Sequence, residues 1–213
     1  MEDRFTVLRT EYETEGLRRA ALDPNPVRQF SAWFDEAVGA GVPQANAMVL
    51  ATADLAGAPS ARAVLLKDFD DRGFVFYTNL ESRKGVELHA NPQAALCFVW
   101  LPLHRQIRIE GRVEVVADAE ADEYFRTRPH GAQIASTVSA QSRPVRDRAE
   151  LEDRYAETAE MYPELPVPRP PHWSGFRVVP QAFEFWQGRE FRLHDRFQYE
   201  RRGGVWTITR LAP

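Results

Sequence analysis

Arg105-Gln106-Ile107-Arg108-Ile109-Glu110-Gly111-Arg112-Val113-Glu114-Val115-Val116 is the stretch that decides the fold class. Ile107, Ile109 and Val113 share one parity; Gln106, Arg108, Glu110, Arg112 and Glu114 share the other. A period of two is that of a strand with one apolar and one polar face. Upstream, residues 47–53, 60–67, 73–78 and 93–100 form further short apolar runs, and residues 55–59 form a turn. Downstream, residues 176–179, 183–186, 192–199 and 205–211 read as strands, the last hairpin turning at Gly203-Gly204. Helices are predicted at 5–12, from Pro26 onward, and at 82–90, 118–126 and 147–161. The helix at Pro26 has Asn25 as its cap, an apolar stripe of Val27, Phe30, Phe34 and Val38, and an end at Gly39-Ala40-Gly41. Many strands, few helices and no regular alternation predict a mainly β chain with flanking α-helices, built as an antiparallel barrel.

The chain has 213 residues, 44% of them hydrophobic, enough for one domain with a real core. Residues 1–45 form an N-terminal helical segment. Residues 163–171 form a connector with five of the fifteen prolines, and 172–213 carry the C-terminal strands. The net charge of -4 argues against nucleic-acid binding through bulk charge. No apolar run reaches the roughly 20 residues of a membrane span, so the expectation is a cytoplasmic protein without a membrane partner. Cys97 stands alone in an apolar run and reads as a buried thiol. The five histidines show no metal-ligand spacing.

There is no G-x-G-x-x-G, no P-loop and no G-x-S-x-G, so any bound phosphate must be held mostly by side chains. Three clusters could do this. Arg62 and Lys67 bracket a strand and, five residues apart, project from opposite faces; they also read as solvated strand-end charges. Arg83 and Lys84 follow Thr78 and Ser82, either of which can cap the next helix. Two cations in a first turn conflict with the helix dipole, which points to a bound anion or to a plain surface basic pair. Arg192, His194 and Arg196 are two apart, on one strand face, and need anionic ligands or carboxylates opposite them. Tyr124 and Arg128 meet on one helical face, and Gln106, Gln141 and Ser142 are further polar candidates, each readable as structural.

Taken together, these blocks resemble the pyridoxamine 5'-phosphate oxidase family from about Arg9 to Pro213. The resemblance is carried by Asn46-Ala47-Met48, Arg62-Ala63-Val64-Leu65-Leu66-Lys67, Phe76-Tyr77-Thr78-Asn79, Ser82-Arg83-Lys84, Arg105-Gln106, Arg128-Pro129, Gln141-Ser142, Glu184-Phe185-Trp186-Gln187-Gly188 and Arg192-Leu193-His194-Asp195-Arg196. It implies an FMN-binding split β-barrel, antiparallel and Greek-key-like, as a homodimer with FMN at each of two subunit interfaces. The implied FMN contacts are Arg62, Ala63, Val64, Leu65, Leu66, Lys67, Tyr77, Thr78, Arg83, Lys84, Gln106, Gln141, Ser142, Trp186 and Arg196. The implied substrate contacts are Arg9, Thr10, Glu11, Tyr12, Lys67, Tyr124, Arg128, Arg192, Leu193 and His194, with Arg192 and His194 over the reacting carbon. The implied activity is oxidation of pyridoxamine or pyridoxine 5'-phosphate to pyridoxal 5'-phosphate, in vitamin B6 synthesis and salvage. Hydride passes from C4' of the substrate to flavin N5, and O2 then yields H2O2, with NH3 released from the amine.

The chain departs from the family pattern at several positions. Phe191 replaces a polar residue before Arg192, Ala132 replaces a serine that contacts substrate phosphate, and Gln44 replaces a common acid. Ala135-Ser136-Thr137 stands for Gly-Ala-Trp, and Trp173-Ser174-Gly175 for Trp-Gly-Gly. These changes leave two alternatives open: a split-barrel flavoprotein with another substrate, and a non-catalytic FMN or pyridoxal phosphate binding protein.

Overall fold

The computed structural model describes Tyr12, residues 14–163 and residues 166–213. The helix expected at 5–12 lies outside the described residues, except for Tyr12, which is in no helix or strand. Nine strands form one sheet among the described residues: β1 Ala47–Ala53, β2 Pro59–Leu65, β3 Asp68–Asp70, β4 Gly73–Asn79, β5 Gln93–Trp100, β6 Arg105–Val115, β7 Trp173–Gln187, β8 Asp195–Arg202 and β9 Val205–Leu211. The order runs β2-β1-β5-β6-β7-β4-β3, with β8 pairing β7 and β9. The β3–β4, β4–β7, β7–β8 and β8–β9 pairs are antiparallel. Five α-helices accompany the sheet among the described residues: α1 Pro26–Gly39, α2 Arg83–Ala90, α3 Asp118–Thr127, α4 His130–Val138 and α5 Arg148–Met161.

The chain divides into two compact units. The first comprises Met1–Leu50, Ala95–Gly111 and Pro180–Pro213, and the second Ala51–Ala94 and Arg112–Val179. In the first unit, α1 starts where proline fits the first turn and the Asn25 side chain accepts the Val27 and Arg28 N–H groups. Its buried face is Val27, Phe30, Trp33 and Ala37. Val38, expected in the stripe, is exposed. Phe30 meets Phe98 at 5.0 Å and Trp33 meets Phe185 edge-on at 5.3 Å, giving this unit an aromatic core. In the second unit Phe74, Val75 and Phe76 of β4 are fully buried, and Val116 and Ala121 pack on Val75. The period of β6 is realised: Ile107, Ile109 and Val113 are buried, and Glu110, Arg112 and Glu114 are exposed.

The structure differs from the sequence expectations at five further points. Lys67 is not on β2, because its N–H bonds Val75 O and the chain turns into the short β3 instead. The two strands expected at 176–179 and 183–186 are one strand, β7. Pro180 lies between the part of β7 that pairs with β4 and the part that pairs with β8, so its missing N–H breaks neither ladder. Helix α4 has no strong cap signal in the sequence and is an addition. Residues 192–194 precede β8, and Phe191 and Arg192 have φ of 54° and 60°. The shared strand face expected for Arg192, His194 and Arg196 therefore does not exist. Cys97 is half-buried rather than a full core residue, and burial pushes its thiol pKa up.

Candidate active site

A cavity of about 660 Å³ lies within the second unit. Strand β2 contributes Arg62, Ala63, Val64 and Leu65, and Lys67 follows it; β4 contributes Tyr77, Thr78 and Asn79. Lys84 comes from α2, Tyr124 from α3, Arg128 from the end of α3, Gln141 from the segment after α4, and Trp173 from the start of β7. The charged lining residues are Arg62, Lys67, Lys84 and Arg128, with no carboxylate among them. A concave site with four cations and no acid is suited to an anionic ligand.

Ser82 is the cap of α2: its hydroxyl accepts the Gly85 N–H at 3.3 Å and donates to Asn79 O at 2.7 Å. Two residues on, the Lys84 ammonium donates to Gln141 Oε1 at 2.7 Å, Thr78 Oγ1 at 3.2 Å and Ser82 Oγ at 3.3 Å. Burial, and then the Arg62 charge, pull its pKa below the ordinary lysine value. Arg62 is held by Thr52 and Ser60, each at 2.5 Å, and by Glu87 at 3.2 Å. Burial alone would push the Glu87 carboxyl pKa up, but donors from Ser60, Thr52, Arg83 and Arg62 bring it down to about 2.

The other end of the lining is aromatic. Tyr77 stacks on Tyr124 at 4.0 Å and on Trp173 at 5.3 Å, all three rings nearly parallel. Burial pushes the Tyr77 hydroxyl up to about 12, so it stays protonated. The Arg128 guanidinium stands 4.7 Å over the Trp173 ring, and burial lowers its pKa. Its one described hydrogen bond goes to Ala132 O, at 3.2 Å; no carboxylate pairs with it among the described residues. Trp173, Asn79 and Ser139 line this cavity although the sequence reading passed over them as site residues. Only the tryptophan ending the proline-rich connector offered a signal.

The first unit holds a second cavity, of about 650 Å³, lined by Tyr12, Val99, Leu101, His104, Arg105, Gln106 and Trp186. His194 packs on Trp186 at 4.6 Å and on Tyr12 at 5.8 Å. Its Nδ1 accepts the Arg189 N–H at 3.1 Å, which leaves the ring proton on Nε2. Burial, and then Arg192, lower its pKa, so the neutral form is favoured. Arg196 donates to Glu184 at 2.8 Å and to Ala212 O at 2.8 Å.

Seven of the expected site residues line neither cavity. Leu66 is buried, Arg83 is exposed and paired with Glu87, and Ser142, Arg192 and Leu193 are exposed; His194 and Arg196 have the contacts given above. Arg9, Thr10 and Glu11 lie outside the described residues. Phe191 departs from the family pattern where the backbone is left-handed, a conformation that costs a bulky L-residue about 1–2 kcal/mol. Phe191→Gly is expected to stabilise the protein by about 1 kcal/mol, read as a higher urea midpoint. A lower midpoint would mean that contacts of the ring outweigh the backbone strain.

Residues 34–162 match the family model described as pyridoxamine 5'-phosphate oxidase. The chain belongs to the pyridoxamine 5'-phosphate oxidase family. Residues 173–213 match the C-terminal dimerisation region of pyridoxine 5'-phosphate oxidase. The pyridoxine/pyridoxamine 5'-phosphate oxidase of Bordetella petrii is 58% identical over 208 residues, 97% of this chain and 98% of that one. The protein of the same name from Cupriavidus necator is 56% identical over 207 residues, 97% of each chain. Among solved structures, PhzG from Burkholderia lata, in complex with tetrahydrophenazine-1-carboxylic acid, superposes with a TM-score of 0.88 at 33% identity. That match covers 93% of this chain and 98% of PhzG. This member of the pyridoxamine 5'-phosphate oxidase family thus has the family fold, a mainly antiparallel split barrel with flanking helices. No helix among its described residues is long and apolar enough to cross a membrane.

Proposed function

We propose that this chain is an FMN-dependent oxidase that converts pyridoxamine or pyridoxine 5'-phosphate to pyridoxal 5'-phosphate, with O2 as acceptor. The observation that carries this reading is the cavity with four cations, no carboxylate and a stack of parallel rings. Two phosphorylated, planar ligands suit that chemistry. The donor set fits FMN: Lys84 and Arg62 are fixed by hydrogen bonds beside the start of α2, where backbone N–H groups favour an anion. No glycine-rich turn is available for the pyrophosphate of a dinucleotide flavin.

Bound FMN would supply the two-electron acceptor for substrate oxidation. The protein's own part is binding and orientation. Arg62, Arg83 and Lys84 hold the flavin phosphate; Lys67, Tyr124 and Arg128 hold the substrate phosphate. Neutral His194 presents its Nε2–H as a donor to the substrate amine or hydroxyl, and Arg192 holds the substrate beside it. The amine substrate gives an imine, which water cleaves to the aldehyde and NH3, while O2 is reduced to H2O2. We further propose a homodimer with FMN at the subunit interface and a cytoplasmic location, in line with the match to the dimerisation region.

The purified protein is expected to be yellow, to release FMN and not FAD on denaturation, and to bleach when pyridoxamine 5'-phosphate is added without oxygen. Oxygen uptake should then follow substrate stoichiometrically. Flavin that stays oxidised with both the amine and the alcohol substrate would instead support one of the alternatives, another substrate or a binding role.

A further inference from the structure

We propose that Glu87 is the positioning residue of the flavin-phosphate site, a buried carboxylate that fixes Arg62 and Arg83 so that the preference for a phosphorylated flavin depends on it. The inference rests on the reading of the second unit's cavity as the FMN site. Glu87 lies on α2, is 6% exposed, and does not line the cavity. Its Oε2 accepts from Thr52 Oγ1 at 2.5 Å, Ser60 Oγ at 2.6 Å and Arg62 Nη2 at 3.2 Å; its Oε1 accepts from Arg83 Nε at 2.8 Å. Thr52 and Ser60 also bond Arg62 directly. The guanidinium that faces the cavity is thus held from behind by side chains of β1, β2 and α2.

A buried carboxylate is costly unless it is paired and hydrogen-bonded. This one is fully engaged, yet it reduces the positive charge near a site that must attract an anion. If charge alone mattered, Glu87 would work against binding. An arginine already held in one rotamer, however, loses less freedom when the ligand arrives, and its fork is aimed before binding. The geometry favours this second effect, because one carboxylate reaches both arginines and both hydroxyls.

The test is to strip flavin from the full-length chain and titrate it with FMN and with riboflavin, following flavin fluorescence. Wild type is expected to bind FMN more tightly than riboflavin. Glu87→Gln, similar in shape and without the charge, is expected to weaken FMN about tenfold and to leave riboflavin within about twofold. Ser60→Ala keeps the carboxylate and removes one donor. It should shift the FMN-to-riboflavin ratio the same way by about two- to threefold, and it serves if the Glu87 variant does not fold. Three outcomes overturn the proposal: an unchanged ratio in both variants, tighter FMN binding by Glu87→Gln, or an equal loss of FMN and riboflavin, which marks a purely structural role. A wild-type chain that binds riboflavin as tightly as FMN would remove the phosphate site itself, and with it this role.

Discussion

Arg192→Ala is expected to lower kcat/KM for pyridoxamine 5'-phosphate by about ten- to hundredfold while FMN stays bound. The estimate is the loss of one charge-assisted contact, about 1.5–3 kcal/mol. Arg192 has no ion-pair partner among the described residues, and its backbone is left-handed at φ 60°. An exposed cation in such a turn, two residues from His194, is free to meet an anionic or electron-rich ligand. Its charge also holds the His194 pKa down, second to burial. Removing it should let that pKa rise, so the acidic limb of the kcat/KM profile should move to higher pH. His194→Ala should slow flavin reduction without this shift. Anaerobic stopped-flow reduction at limiting and saturating substrate measures both effects. Wild-type reduction rates by Arg192→Ala at both concentrations would sink the assignment, as would loss of flavin from the variant.

Much of this architecture is legible in the sequence, where one physical signal dominates. Strands β1, β5 and β9 fall on the expected residues because each is an apolar or alternating run bounded by turn residues. Helix α1 is legible because Asn25 and Pro26 set its start. The misreadings arise where tertiary pairing overrides local pattern. Residues 192–194 alternate like a strand, yet pairing with β7 begins only at Asp195, opposite Gln187. Strand β3 is three residues of Asp-Phe-Asp, with no strand signal, and forms because β4 offers it a partner.

The site was partly legible for a similar reason. Cations at element ends can be seen in a sequence, and Arg62, Lys67, Lys84 and Arg128 do meet around one cavity. Their partners cannot be seen. Nothing local links Lys84 to Gln141, 57 residues later, or Arg62 to Glu87, 25 residues later. Trp173 shows in the sequence only as a tryptophan after the proline-rich stretch; its place beneath Arg128 and beside Tyr77 is a contact only the fold creates.

Arg128→Ala is expected to raise KM for pyridoxamine 5'-phosphate by about ten- to hundredfold, with little change in kcat. Arg128 is a half-buried guanidinium with a carbonyl and an aromatic face for partners and no carboxylate. Burial lowers its pKa, a sign that the charged form is under-solvated there. A phosphate would supply the missing counter-charge through a bidentate contact. In the proposed reading that phosphate is remote from the reacting carbon, so the contact is equally strong before and during the reaction, and its loss falls on KM. Ala132 sharpens the expectation: with no serine hydroxyl there, its carbonyl orients Arg128 and more of the phosphate binding rests on the guanidinium. Pyridoxamine without its phosphate provides the control. Wild type should bind it far more weakly than the phosphorylated form, and Arg128→Ala should remove most of that difference while binding the unphosphorylated amine unchanged. If the substitution weakens both ligands equally, Arg128 supports the Trp173 stack and the phosphate is held elsewhere.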